Sequence, residues 1–192
     1  MQHGLEPWPE HDVPWYADAA LLSRVVSGGP RIVWGEGDTK GRLALIMDNP
    51  GLRESANGVG FVCPTRQALR LALSEAGVPQ SEVQVFFLYK ARPRRAYDRM
   101  AANEVCVPLL LRQVEESPAR VLLALGNTVV QALVGGETTV RASRGVPLSF
   151  GGRPLHVSYH PLAVWRRPNL RPRLVADIRA AYQGLAAAAG AG

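Results

Sequence analysis

A chain of 192 residues, 47% of them hydrophobic, is long enough to bury the core of one α/β domain and too apolar for wholesale disorder. Its 22 Lys plus Arg against 16 Asp plus Glu give a formal charge of +6, which suits a polyanionic partner without requiring one. The two cysteines, Cys63 and Cys106, form no C-x-x-C pair, so neither a disulfide framework nor a self-sufficient zinc site is indicated.

The first 16 residues are rich in Pro, Trp and His and read as an irregular arm. The start "MQHGLEPWPEHD" lacks the basic-then-apolar order of a signal peptide, and no apolar stretch reaches membrane-spanning length, so a cytoplasmic protein is expected. A short helix is predicted through "ADAALLSRVV", then a strand in "RIVWGEGD" ended by Gly35 and Gly37. "RLALIM" is apolar on nearly every residue, the pattern of a strand covered by helices on both faces. "PTRQALRLALSEAGV" is predicted helical, with Pro64 near its start and Gly77 as its stop.

"VQVFFLYKARP" is a second buried strand closed by a basic turn. "AANEVCVPLLLRQVEES" is a helix strained at Pro108. "ARVLLALGN" gives a third strand, with Asn127 or Thr128 capping the helix "TVVQALVG". "GRPLHVSYHP" is the last strand and "RLVADIRAAYQGL" the last helix, followed by a frayed tail over 186–192. Strands alternating with helices predict a single domain over 1–192, a three-layer α/β/α sandwich around a mostly parallel sheet.

In such sheets ligands gather beyond the carboxyl ends of the strands. Asp48-Asn49-Pro50-Gly51 lies at one end, "KARPRR" at another, Gly126-Asn127 at a third and Tyr159-His160-Pro161 at a fourth. Asp48 and Asn49 suit a turn before Pro-Gly on backbone grounds alone, and a histidine beside a proline is often structural. Together they bring a carboxylate, a carboxamide and an imidazole to one sheet edge. Hydrolysis of an N-glycosidic bond needs such a set. Asp48 or Asn49 would orient water below the sugar, and His160 would stabilise the negative charge on the departing base. Phe61 could stack on an extruded base, or be an ordinary core residue. "KARPRRAYDR" and "WRRPNLRPR" concentrate arginines, among them Arg94, Arg95, Arg166 and Arg167, near aromatic rings, as a phosphate-binding or merely solvated surface would. Trp165 is a candidate wedge into a duplex.

These motifs, in this order, resemble the uracil-DNA glycosylase superfamily, most closely its family 4 branch, over about Arg31 to Tyr182. The segments that carry the resemblance are "WGEGDTKGRLALIMDNPG", "GVGFVCPTRQALRLALSEAGV", "YKARP", "VLLALGNTVVQALVG" and "VSYHPLAVWRRPNLRPRLVADI". It implies the superfamily fold and a DNA base excision activity on a deaminated or damaged base, uracil by default, acting on single- or double-stranded DNA without an obligate protein partner. It implies that the Asp48–Gly51 turn activates water, that Phe61 stacks on the base and that His160-Pro161 is the second catalytic motif.

Departures accompany it. Asp48 stands where family 4 has glutamate, and Leu162 replaces a serine, removing a phosphate contact or supplying an apolar wedge. Phe87 falls near the place of the asparagine that reads uracil, and offers stacking without hydrogen bonds. Family 4 binds a [4Fe–4S] cluster through four cysteines. Here Ala91 stands for one of them, the N-terminal pair is missing and Cys106 alone remains, so no cluster is expected. A catalytically silent nucleic-acid-binding member, or a nucleotide hydrolase on the same sheet, are the rival readings.

Overall fold

The computed structural model describes residues 8–17, 20, 31–52, 63–92 and 99–189. The strands are β1 (Gly35–Gly37), β2 (Leu43–Met47), β3 (Val83–Phe87), β4 (Val121–Leu125), β5 (Leu148–Phe150) and β6 (Arg153–Ser158). They form one sheet in the order β1-β3-β2-β4-β6-β5. The four inner strands are parallel, and β1 and β5 pair antiparallel at the two edges. The mostly parallel α/β class expected from the alternation of elements is what the chain adopts.

The helices are α1 (Pro64–Ala76), α2 (Arg99–Glu116), α3 (Asn127–Val134), α4 (Val140–Ser143), α5 (Pro161–Arg166) and α6 (Arg171–Ala189). Strand parity sorts the core into two faces. Leu43, Leu45 and Met47 pack with Leu69 and Leu73 of α1 and with Leu174 and Ile178 of α6. Ala44 and Ile46 pack with Leu110 and Val114 of α2 and with Val129 and Val130 of α3. Both faces are covered, so every residue of β2, β3 and β4 is buried. At about 1.5–3 kcal/mol per buried aliphatic side chain, these two faces supply the main drive for folding.

Helix α1 starts at Pro64 and stops where Gly77 turns left-handed at φ 74°, with the Val78 N–H donating to the Leu73 carbonyl at 3.0 Å. Helix α2 continues through Pro108, which is exposed, so the bond that proline cannot make is lost on the solvent side.

Several expectations are corrected. The first strand is not ended by its glycines but made of them: a Cβ on Gly35 would lie 2.6 Å from the Val85 carbonyl oxygen and 2.7 Å from His11 Nδ1. Those neighbours leave no room for a side chain. The arm is tied down along β1, with His11 N–H donating to Gly35 O and Gly37 N–H to Pro9 O, both at 2.9 Å. This contact covers the sheet edge, and Trp8 is anchored by its indole N–H on Gln80 Oε1 at 2.9 Å. Neither Asn127 nor Thr128 caps α3. Gly126 holds that place, and Asn127 Oδ1 accepts the Val140 N–H at 2.9 Å instead. Helix α6 runs through Ala189, past the point where fraying was expected, because alanine is the best helix former. The short elements β5, α4 and α5 have no counterpart among the sequence expectations. The helix predicted over "ADAALLSRVV" lies almost wholly outside the described residues.

Candidate active site

Strand β2 ends at Met47 and delivers Asp48 and Asn49 onto a turn that pins itself. Asp48 Oδ1 accepts the Asn49 N–H at 2.9 Å, and Asn49 Nδ2 donates to the Pro50 carbonyl at 2.7 Å. With one of its two N–H donors so engaged, the carboxamide is fixed in orientation and keeps Oδ1 as an acceptor. The Tyr89 N–H donates to the Asp48 carbonyl at 2.8 Å and holds the turn against the segment after β3.

Two strands away, β6 ends at Ser158 and His160 opens α5 as its N-cap. The imidazole Nδ1 accepts the Leu162 N–H at 3.1 Å. That bond assigns the proton of the neutral ring to Nε2. Nε2 lies 3.3 Å from Asp48 Oδ1, an electrostatic contact rather than a well-aligned hydrogen bond. Burial pushes the Asp48 carboxyl up, but His160 and the N–H groups of Asn49 and Asp48 outweigh it and hold the acid below its ordinary range.

The strand end that leads into the histidine is held from behind. Ser158 Oγ donates to Asp177 Oδ2 at 2.5 Å, and Arg144 grips the same carboxylate through Nε and Nη2, both at 2.8 Å. The Arg144 guanidinium also covers the Tyr159 ring, 5.4 Å from its centroid. Opposite, Gly126 (φ 98°) lets the end of β4 approach, since a Cβ there would meet His160 Cβ at 3.0 Å. Only glycine fits that backbone and that gap.

Two cavities meet at this pair. One, about 260 Å³, is lined by Met47, Asp48, Asn49, Cys63, Thr65, Arg66, Arg92, His160 and Leu162. The other, about 470 Å³, is lined by Asp48, Gly126, Asn127, Thr128, Arg141, His160 and Arg167, among others. Asp48 and His160 are common to both.

The strand-end residues Asp48, Asn49 and His160 are thus brought together, in direct contact rather than across an open pocket. Leu162 lines the smaller cavity and Arg167 the larger. Trp165 and Arg166 are exposed on α5. Phe61, Arg94 and Arg95 lie outside the described residues. Phe87 is a correction. It is wholly buried in the core and lines neither cavity, because its strand parity points it toward α1 and the Arg66 guanidinium covers its ring at 5.3 Å. Arg66 and Arg92 were not singled out from the sequence. Arg66 had a signal, since with Leu69 and Leu73 it follows the i, i+3, i+7 spacing of the buried stripe of α1.

The residues present do not fit a four-thiolate cluster. Cys63 lines the smaller cavity, Ala91 offers no ligand, and burial pushes the Cys106 thiol up, away from the thiolate a cluster requires. Among the described residues no group of three or more His, Cys, Asp or Glu is placed to hold a metal ion. Among them, too, no helix is long and apolar enough to cross a membrane.

The family model for the uracil DNA glycosylase superfamily matches residues 34–183. The type-4 uracil-DNA glycosylase of Pyrobaculum aerophilum is 31% identical over 160 residues, which is 78% of this chain and 81% of that protein. Its counterpart from Thermotoga maritima is 30% identical over 150 residues, covering 76% and 78%. That of Archaeoglobus fulgidus is 27% identical over 154 residues, covering 76% and 77%.

Proposed function

The chain belongs to the uracil DNA glycosylase superfamily, and from that premise we propose that it is a monofunctional DNA glycosylase of base excision repair. It hydrolyses the N-glycosidic bond of a deaminated or damaged base, and uracil, named for its relatives, is the first base to test. The observation that carries this reading is that Asp48 and His160 line both cavities and stand 3.3 Å apart at their boundary. A nucleotide flipped from the stack seats its base in the smaller cavity and its sugar-phosphate along the larger. The glycosidic bond then crosses the boundary beside the pair.

The chemistry follows from charge. The bond between the sugar C1′ and the base nitrogen breaks and its electron pair leaves with the base, so positive charge grows on the sugar and negative charge on the base. Asp48, kept ionised, stabilises the sugar and takes a proton from the attacking water, which Asn49 Oδ1 helps to orient. Such general base assistance is worth about 10²–10⁴-fold. The His160 Nε2–H donates toward the departing base, and one donor of this kind is worth about 10²–10³-fold. The group acts without an iron-sulfur cluster. Arg94, Arg95, Arg166 and Arg167 neutralise backbone phosphates, and Trp165 and Leu162 fill the gap left by the flipped base. Binding therefore weakens with salt, by a slope of about −0.9 per phosphate neutralised.

The test is release of free base from oligonucleotides carrying uracil, hypoxanthine, xanthine or another lesion, with Asp48→Ala, Asn49→Ala and His160→Ala as controls. Each single variant is expected to lose at least about 10²-fold. Release by a triple variant at the wild-type rate refutes the assignment. Salt-sensitive DNA binding with no release from any lesion establishes the rival, a silent binding module.

A further inference from the structure

Of the two guanidinium groups that line the smaller cavity, Arg92 is exposed and Arg66 is buried, and a buried one is out of place in a pocket for uracil. The Arg66 side chain is only 5% exposed, yet it lines that cavity. It is fixed from three strands. Its Nε lies 2.5 Å from Glu36 Oε1 of β1, its Nη1 donates to Met47 Sδ of β2 at 2.7 Å, and its guanidinium covers the Phe87 ring of β3. A buried guanidinium held this rigidly has lost its conformational freedom before any ligand arrives.

We propose that Arg66 reads the base in this cavity and that the preferred substrate is an oxopurine, hypoxanthine or xanthine, rather than uracil; the proposal rests on the glycosylase reading above. A guanidinium donates and never accepts. Its parallel N–H pair matches two acceptors side by side on one edge, which an oxopurine offers at O6 and N7. Uracil presents acceptor, donor, acceptor along its edge, so its N3–H would face a cation that cannot receive it, and an unpaired buried donor is costly. Phe87 supplies no acceptor to compensate, being sealed behind Arg66, and the acceptors of this cavity, Asn49 Oδ1 and the Asp48 carboxylate, are given to the water and the sugar in the reading above. Met47 Sδ is a weak acceptor, and a base oxygen or nitrogen is a better partner for the Nη1 donor that now rests on it.

The same cation contributes to the chemical step. When the purine N9–C1′ bond breaks, the electron pair left on N9 spreads through the imidazole ring to N7. A buried positive charge at that edge stabilises the leaving anion more than it stabilises the bound nucleotide. Guanine shares the O6 and N7 edge. It is excluded at extrusion, because a base in its stable pair costs more to unstack than a deaminated one.

The experiment measures single-turnover base release from duplexes carrying one hypoxanthine, xanthine, uracil or guanine, for wild type, Arg66→Gln and Arg66→Lys. Wild type is expected to release the oxopurines at least about 10-fold faster than uracil and to leave guanine intact. Both variants are expected to lose about 10–100-fold on the oxopurines and much less on uracil. Arg66→Lys keeps a charge for Glu36, so it isolates the loss of the paired donors if Arg66→Gln fails to fold. Uracil released as fast as the oxopurines, with a ratio unmoved by Arg66→Lys, overturns the inference and leaves the glycosylase reading standing. Release of no base at all overturns both.

Discussion

Lys90 ends the segment after β3 and is wholly buried, with its ammonium donating to the Phe87 carbonyl at 2.8 Å and to Gln113 Oε1. Gln113 in turn donates to the Trp34 carbonyl at 2.9 Å. Among the described residues no carboxylate pairs with this lysine, and burial pulls its pKa from 10.5 down to about 7, against a smaller upward pull from Cys106. The sign follows. The unfolded chain binds the proton below about 10.4, while the folded one does so only below about 7. Between those values the unfolded state holds more protons, so stability rises with pH by about 1.4 kcal/mol per unit. Below about 7 both states are protonated and the contribution is flat. Lys90→Met removes the titration while keeping most of the volume. Urea denaturation of both proteins at pH 7.5 and 9.5 should show wild type gaining about 2.5 kcal/mol relative to the variant across that interval. Groups that titrate in both proteins cancel in the difference. A difference that stays constant with pH would show Lys90 charged in the folded protein and refute the reasoning.

Other consequences follow from the site. Asp48 is held below the ordinary carboxylate range partly by His160, so it adds stability above about pH 3.9 that is lost as pH falls through its folded value. In His160→Ala burial is less opposed, and a carbon-detected NMR titration should place the Asp48 carboxyl higher than in wild type. Gly126→Ala puts a side chain at φ 98°, ψ 161°, and a Cβ 3.0 Å from His160 Cβ. It should cost about 1–3 kcal/mol in thermal stability and slow base release by displacing the imidazole. Arg144→Ala breaks the bidentate grip on Asp177, a pair between surface and core in exposure. A loss of about 2 kcal/mol is expected, read as a drop of about 4–8 °C in Tm, with slower base release because Ser158 and Tyr159, the two residues that precede His160, lose their anchor on Arg144 and Asp177.

The parallel core was legible because β2 and β4 are apolar on every residue and β3 on all but Gln84, a run that only a sheet covered on both faces requires. Asp48 was legible for a related reason, as the polar break after the apolar β2, and His160 because it follows the mixed strand β6 into a proline turn; both stand at the carboxyl ends of strands, where parallel sheets collect ligands. What escaped was set by tertiary contact. Gly35 and Gly37 have poor strand propensity and form a strand because Val85 and the arm close in on them. Arg66 was passed over because helical periodicity counts apolar residues, and its burial depends on Glu36 thirty positions earlier, a partner no local pattern reveals. Phe87 falls near the place of a hydrogen-bonding residue in the family the chain resembles, yet its parity with Val83 and Val85 assigns it to the α1 face.

The contact between Asp48 and His160 bears on how binding and chemistry are joined. Leu162 N–H occupies Nδ1, so Nε2 is the imidazole's one available donor and, without substrate, it rests against Asp48. At 3.3 Å that contact is longer than the 2.7–2.9 Å of a strong charge-assisted bond, so a base oxygen that offers better alignment can take the donor. Taking it does two things at once. The imidazole turns to the leaving group, and the Asp48 oxygen it covered becomes open to water. On the proposed mechanism, base occupancy would thereby arm the carboxylate, and a sugar presented without a base in the smaller cavity would meet an acid still engaged with its histidine. On that mechanism the arrangement favours attack by water only when there is a bond to break.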